Sequence, residues 1–341
     1  MTTPKLNQPL YLRPHFSERP WGGDRLARFY GKDTPPGKII GESWEVADRP
    51  EAQSIVVSGP FDGWTLRRLL QTDASGVLGA LAARAQRFPL LAKFIDAAAD
   101  LSVQVHPCDE GAKPYNDRGK TECWIVLHAQ PGARIIRGLK PGTGRDEFQQ
   151  AVKEDRVEAV LHSFVARVGD VVALPPGMVH ALGAGLVVAE IQQNSDLTFR
   201  IYDYRRLGLD GKPRQLHVAQ ALAAIRFDAP GDEFAGDLST DTVTPLTRET
   251  TGTVTVELLL QGRYFDLKRY TLAPGGAFRL PPLPQAPRIL MALSGSGALN
   301  GQPLRMGQTV LLPAAAQTVE VAAAPGAALV LAVSMPELAA C

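Results

Sequence analysis

Between Ser102 and Pro107 the chain reads Ser-Val-Gln-Val-His-Pro, a strict alternation of polar and apolar residues. In a strand, Ser102, Gln104 and His106 share one face while Val103 and Val105 take the other. Glu122 follows a loop holding Pro114, Asn116, Asp117 and Gly119, and it opens a second apolar strand from Cys123 to Leu127. A third element, Gly169-Asp-Val-Val-Ala-Leu-Pro-Pro-Gly-Met-Val-His180, supplies another imidazole. An amide oxygen (Gln104), two imidazoles (His106, His180) and a carboxylate (Glu122), converging inside a β-barrel, make a four-ligand site for a divalent metal.

The rest of the chain reads as a host for that site. Its 341 residues suffice for two domains. The apolar share of 45% and charged share of 21% are those of an ordinary globular protein. A net charge of +1 gives no global field to attract nucleic acid or an anionic membrane, so neither is expected as a partner. Three cysteines, Cys108, Cys123 and Cys341, form no disulfide framework. The N-terminus lacks a basic region followed by an apolar core, and the apolar stretch from Gly326 to Met335 is too short to span a bilayer. The expected location is the reducing cytoplasm.

In chain order, Leu10 to Leu12 reads as a strand and Arg19-Pro-Trp-Gly-Gly23 as a tight turn. Gly41 to Val46 alternates, with Glu42, Trp44 and Val46 on one face, and Ser54 to Val57 is a further strand. Leu66 to Leu81 has helical spacing, with a break at Ser75-Gly76. Leu90 to Ile95 is an apolar run carrying Lys93. Asp146 to Leu161 is helical, with Asp146 able to cap its first turn. Phe164 to Leu174 reads as a strand pair turning at Gly169-Asp170. Leu186 to Gln192 and Thr198 to Tyr204 are strands, and Leu216 to Ile225 is a short helix. Around Asp228 to Thr247 the composition shifts to acidic, Gly, Pro and Thr, a connection to a second unit. From Val254 to Val333 only short strands and turns appear. A weak internal repeat links Gly169-Asp-Val-Val-Ala-Leu-Pro175 to Gly307-Gln-Thr-Val-Leu-Leu-Pro313; His180 falls opposite Thr318, and the second copy has no histidine. The fold class is mainly β: two cupin-like (jelly-roll) β-sandwich or barrel units with small helical additions, a metal-binding unit over 1–235 and a metal-free unit over 245–341.

Five separated motifs carry a resemblance: Ser102-Val-Gln-Val-His-Pro, Gly119-Lys-Thr-Glu-Cys-Trp, Pro176-Gly-Met-Val-His-Ala-Leu, Glu190-Ile-Gln-Gln-Asn-Ser-Asp and Arg200-Ile-Tyr-Asp-Tyr. In this order the chain resembles the short bacterial form of the class I mannose-6-phosphate isomerases, over most of residues 10 to 225. The resemblance implies a cupin fold, one zinc ion per chain, and interconversion of mannose 6-phosphate and fructose 6-phosphate. It puts the metal ligands on Gln104, His106, Glu122 and His180 and the catalytic arginine on Arg200. The extra helical domain of the longer members has no counterpart here.

Aldose–ketose isomerisation moves a proton between C1 and C2 through an enediolate, which needs a base and a positive charge beside the oxyanion. Arg200 offers a planar cation that stays protonated, with a surface ion pair to Asp203 or Asp196 as the plainer reading. Glu190, ending an apolar strand, is the candidate base, and partnership with a metal histidine is the competing role. Lys120, two residues before Glu122, can reach the site. Lys93, Glu42 and Trp21 are the expected substrate contacts: Lys93 because an unpaired charge in an apolar run is costly, Glu42 as holder of a lysine, Trp21 as a stacking surface, with core packing the plainer role for Trp21. No P-loop is present, so single basic residues such as Arg205, Arg206 or Lys212 are the expected phosphate anchors. His217 is expected at the pocket rim. Two rivals remain: a cupin oxygenase with iron in the same ligands, and a sugar-phosphate-binding cupin without catalysis. The chain is expected to be a monomer or homodimer.

Overall fold

The computed structural model describes residues 5–228, 231 and 233–337; Cys341 lies outside the described residues. It is built from four antiparallel sheets. The first has six strands in the order Val171–Leu174, Glu122–Ala129, Leu186–Gln193, Leu90–Ala97, Ile40–Val46, His15–Gly23. A five-stranded sheet follows the order Phe199–Tyr202, Val103–Val105, His180–Leu182, Arg134–Leu139, Leu161–Val165. Trp21, Ile95, Trp124, Ile135, Val172, Leu182 and Val188 share one buried cluster formed from both. Behind the five-stranded sheet, Val103 and Val105 join Phe148, Ala151 and Ala221 of two helices. The alternation around Gln104 therefore has a direct cause: valines toward helices, donors toward the other sheet.

The later strands make a second pair of sheets. Four strands, Ala277–Leu280, Val319–Ala323, Ser296–Leu299 and Gln302–Arg305, face an eight-stranded sheet that runs from Thr247–Thr251 through Phe265–Leu272 and Thr309–Leu312 to Leu10–Arg13 and Ile55–Val56. The first strand of the chain thus pairs with Thr309–Leu312, in register Leu10 to Leu311. The large cluster holding Leu26, Phe94 and Ile125 with Phe265, Ile289 and Leu311 joins the two halves. Each sheet keeps its edges, so the units are sandwiches of open sheets rather than a closed barrel. No described helix is long and apolar enough to cross a membrane.

Several local expectations are corrected. Arg19 to Gly23 is no turn but the end of the bulged edge strand His15–Gly23. Its glycines serve close approach: a Cβ on Gly22 would lie 2.5 Å from the Gly41 nitrogen, and one on Gly41 would lie 2.6 Å from the Arg19 Cβ. The helix Leu66–Leu78 breaks at Asp73, not at Ser75-Gly76, because the Asp73 carboxylate accepts from the Ser75 hydroxyl and the Gly76 N–H and starts a new turn. Residues 146 to 161 split in two. The helix Arg145–Lys153 starts at Gly144 without a side-chain cap, Asp155 turns left-handed at φ 55°, and Leu161 already begins a strand. Leu161–Val165 and Val171–Leu174 do not pair; Gly169, at φ 93°, carries the chain from one sheet to the other. The loop between His106 and Glu122 holds two helical turns, Asp109–Ala112 and Lys113–Tyr115.

Gly79 closes the Leu66–Leu78 helix at φ 61°, where the next N–H, of Ala80, donates to the Gln285 carbonyl of the later sheets. A Cβ there would sit 2.2 Å from the Pro284 carbonyl oxygen. Gly79→Ala is expected to cost about 2 kcal/mol of stability or more, measured by denaturant unfolding. A loss under about 0.5 kcal/mol would show that this junction yields freely.

Candidate metal centre

Two facing rows of side chains build the site. On the five-stranded sheet, Arg200, Gln104 and His180 are cross-strand neighbours in one register. On the six-stranded sheet, Trp44, Lys93, Glu190 and Trp124 are likewise aligned, and Glu122 stands two residues before Trp124 on the same face. The Gly169-to-His180 stretch is needed in two sheets at once. Val171–Leu174 pairs beside Glu122–Ala129, Gly177 turns at φ 83°, and His180 enters the opposite sheet.

His106, Glu122 and His180 are all buried, and one ligand atom of each lies within 4.8 Å of the others. His106 Nδ1 lies 2.9 Å from the Leu197 carbonyl and His180 Nδ1 2.8 Å from that of Met178. A carbonyl only accepts, so both Nδ1 atoms carry a proton, which leaves both Nε2 atoms as the positions turned inward. His180 Nε2 faces Glu122 Oε1 at 3.1 Å, and His106 Nε2 faces Oε2 at 3.6 Å. Glu122 Oε1 is buried with no hydrogen-bond donor. Burial and then the Lys120 ammonium push His106 well below the ordinary histidine pKa, so it stays neutral. Burial raises the Glu122 carboxyl, yet the Lys120 ammonium beside it outweighs burial and holds the group well below the usual carboxylate range. Two inward imidazole nitrogens and a buried carboxylate aimed at one point fit a divalent cation. Gln104 is close: its Nε2 lies 3.4 Å from His180 Nε2, and a half-turn of the amide would present its oxygen instead.

The other expected residues gather around this group. Lys120 Nζ donates to Glu122 and lies 3.1 Å from His106 Nε2 and 4.0 Å from Glu190 Oε1. Glu190 accepts from the Trp124 indole at 2.8 Å; its other oxygen has no hydrogen bond and lies 3.5 Å from Lys93 Nζ. It touches no metal-site histidine, so the competing role has no contact to support it. Burial raises the Glu190 carboxyl, Glu122 adds to this, and Lys120 and Lys93 offset only part. Among the described residues Arg200 makes no carboxylate bond: its guanidinium donates to the Ser102 hydroxyl at 3.2 Å and the Gln215 carbonyl at 3.0 Å. Asp203, offered above as its plainer partner, instead binds Arg206 and Arg214. Trp21, Glu42, Lys93, Gln104, Lys120, Glu190, Arg200 and His217 all line one pocket of about 640 Å³. Trp21 is also 4% exposed and part of the core.

Arg205, Arg206 and Lys212 do not line that pocket; Arg205 is turned outward to Asp155. Arg19 and Arg214 do, and both escaped sequence reading. Arg19 was hidden by taking its strand for a turn; read with period two, it shares a face with Trp21. Arg214 sits in a loop, which has no period to read. Arg19 donates to Glu42 at 2.8 Å. Burial raises the Glu42 carboxyl, but Lys93, Arg19 and the Trp44 indole together bring it down to about 2. Lys93 moves the opposite way, burial lowering it and Glu42 and Glu190 carrying it up to about 12.

A family model described as phosphomannose isomerase type I, catalytic domain, matches residues 10–120. The mannose-6-phosphate isomerase ManA of Bacillus subtilis is 34% identical over 313 residues, 90% of this chain and 93% of that protein. The probable mannose-6-phosphate isomerase GmuF of the same organism is 35% identical over 316 residues, 91% and 94% of the two chains. A crystal structure of mannose 6-phosphate isomerase from Bacillus subtilis superposes with a TM-score of 0.84 at 30% identity, covering 96% of this chain and 99% of that one. A putative mannosephosphate isomerase from Archaeoglobus fulgidus, at 21% identity and a TM-score of 0.75, shares the fold.

His180→Ala should lower bound divalent metal from about one per chain to near zero, measured by elemental analysis of dialysed protein. Full occupancy in that variant would remove His180 from the ligand set. Because the Glu42 pKa falls from 4.5 unfolded to about 2 folded, its stabilisation is complete above about pH 4.5 and is lost as pH drops toward 2. Glu42→Gln should cost about 3 kcal/mol at pH 7 and flatten the stability profile across that acid window, read from urea unfolding at several pH values. A profile as steep as the parent's would assign the acid loss elsewhere.

Proposed function

The chain belongs to the mannose-6-phosphate isomerases of type I, and from that membership we propose how its own residues carry the interconversion of mannose 6-phosphate and fructose 6-phosphate. The observation that carries the reading is the inward pair of imidazole Nε2 atoms beside buried Glu122, next to a pocket lined by Gln104, Lys120, Glu190 and Arg200. We assign the metal to His106, Glu122, His180 and the Gln104 amide oxygen, and the ion to zinc, which two imidazoles and a carboxylate suit. Zinc held there supplies Lewis acidity toward a carbonyl or hydroxyl oxygen.

Every other part of the reaction falls to side chains of this chain. Glu190 and Lys120, 4.0 Å apart, both line the pocket. With its pKa raised by burial, Glu190 is a base strong enough to take the C–H proton and return it to the neighbouring carbon. Lys120 is the acid facing the oxygens. Arg200, lacking a carboxylate partner, directs its charge at the enediolate oxygens rather than spending it on an ion pair. Lys93 and Glu42 hold sugar hydroxyls beneath Trp21. Arg19 and Arg214, which both line the pocket, are suited to the phosphate, a dianion that planar guanidinium groups bind in pairs.

We also propose the two-unit division, 1–235 for the metal-binding cupin and 245–341 for a metal-free one. It is supported by sheet membership: every strand from Thr247 onward lies in the second pair of sheets, to which Leu10–Arg13 and Ile55–Val56 are added. A monomer or homodimer working in the cytoplasm is proposed; the thiols of Cys108 and Cys123, both free, suit a reducing compartment.

Mannose 6-phosphate turnover, followed by coupled detection of fructose 6-phosphate, tests the reading. The purified chain should be active, and a chelator should abolish activity until zinc is restored. Arg200→Ala should retain the metal and lose about 10²–10³-fold in kcat. Full activity in that variant would exclude Arg200 from the mechanism.

A further inference from the structure

The bonds that hold Lys120 in place continue into the later sheets. Tyr264, 4% exposed, immediately precedes the strand Phe265–Leu272. Its hydroxyl donates to Asp109 Oδ2 at 2.6 Å, across 155 residues of chain. The other oxygen of that carboxylate, Oδ1, accepts from the Gly119 N–H at 2.9 Å and from Gln193 Nε2 at 3.1 Å. Gln193 Oε1 in turn accepts from the Thr121 N–H at 2.9 Å, and the Lys120 N–H between them donates to the Pro107 carbonyl at 3.1 Å. Three successive backbone N–H groups, 119 to 121, are therefore each given a fixed acceptor. The side chain of Lys120 departs from the middle one, and Glu122 follows at once. Only glycine fits at 119, where a Cβ would lie 2.6 Å from the Asp109 nitrogen.

We propose that Tyr264, donated by the second unit, is a positioning residue for the isomerisation: by fixing Asp109 it fixes the 119–121 backbone and so the Lys120 ammonium. The proposal rests on the functional reading above. A carboxylate held at one oxygen alone can swing about its Cβ–Cγ bond; held at both, it cannot. Lys120 Nζ must keep 3.1 Å to His106 Nε2 and 4.0 Å to Glu190 Oε1 at once, and a displacement near 1 Å costs about 10²-fold in rate. The metal-free sandwich thereby contributes to catalysis without touching substrate. Its other links to the first unit need not: Arg269, for example, donates to the Gly169 carbonyl, on a turn that lies away from this chain of bonds.

The test compares Tyr264→Phe with Arg269→Gln in the zinc-loaded full chain. Tyr264→Phe keeps the ring and removes only the hydroxyl. It should keep its metal content, lower kcat about tenfold and leave KM for mannose 6-phosphate within about twofold. Hydrogen exchange of the peptide spanning 119–121 should quicken by about tenfold, a change that general loosening of the two units would not confine there. Arg269→Gln should leave kcat and that exchange rate unaltered. Adding Asp109→Asn to Tyr264→Phe should cost less than the product of the single effects, because both act through one carboxylate. An unchanged kcat in Tyr264→Phe, or an equal loss in Arg269→Gln, would overturn the proposal. If the parent chain itself failed to turn over mannose 6-phosphate, the functional reading would fall. The exchange comparison would then decide alone whether Tyr264 orders the Lys120 backbone.

Discussion

Glu122 is a fully buried carboxylate between two sheets, and an isolated charge in such a place is untenable. Most of what surrounds it answers that demand. Lys120 reaches it directly, and two imidazole Nε2 atoms point toward the same place. Around this centre the charges alternate: Lys93 between Glu42 and Glu190, Arg19 on Glu42, Arg200 over Ser102. Breaking one partner of such a network leaves another uncompensated, so the sheet-to-sheet geometry and the electrostatics are one constraint.

The same constraint explains how the scaffold is arranged. Facing rows can only meet if each sheet presents polar groups inward at one level and apolar groups elsewhere. The valines flanking Gln104 and the tryptophans at Trp44 and Trp124 meet that condition. Trp124 does both jobs, filling the core and holding Glu190 through its indole N–H. Close approach of the edge strand His15–Gly23 to Ile40–Val46, allowed by Gly22 and Gly41, brings Arg19 and Trp21 to the pocket mouth.

A third level of support comes from outside the first pair of sheets. The hydrogen bonds from Tyr264 through Asp109 and Gln193 end on the backbone that carries Lys120. The later pair of sheets, a stretch without histidine, is thereby tied to the site by geometry. A second tie runs the other way: the first strand of the chain is built into the later eight-stranded sheet, beside Thr309–Leu312.

The amino-acid order alone determined the strands that carry the donors, since period two is a local property: Gln104 with His106, Lys120 with Glu122, and the apolar frame of Leu90 to Ala97 and Leu186 to Gln193 were all readable. It also determined the mainly β class, through short runs and turn residues, and the family, through five motifs in sequence. Three-dimensional packing decided the rest. Whether Arg19 to Gly23 turns or extends depends on a neighbouring strand that only the sheet supplies. Whether Arg200 spends its charge on Asp203 depends on Arg206 and Arg214 claiming that carboxylate first. That Arg205 faces Asp155 while Arg214 faces the pocket is set by a loop, where side chains follow no repeat. Bonds between residues more than a hundred positions apart, such as Tyr264 to Asp109, leave no periodic trace at all, because their energy depends on distance in space and not on spacing along the chain.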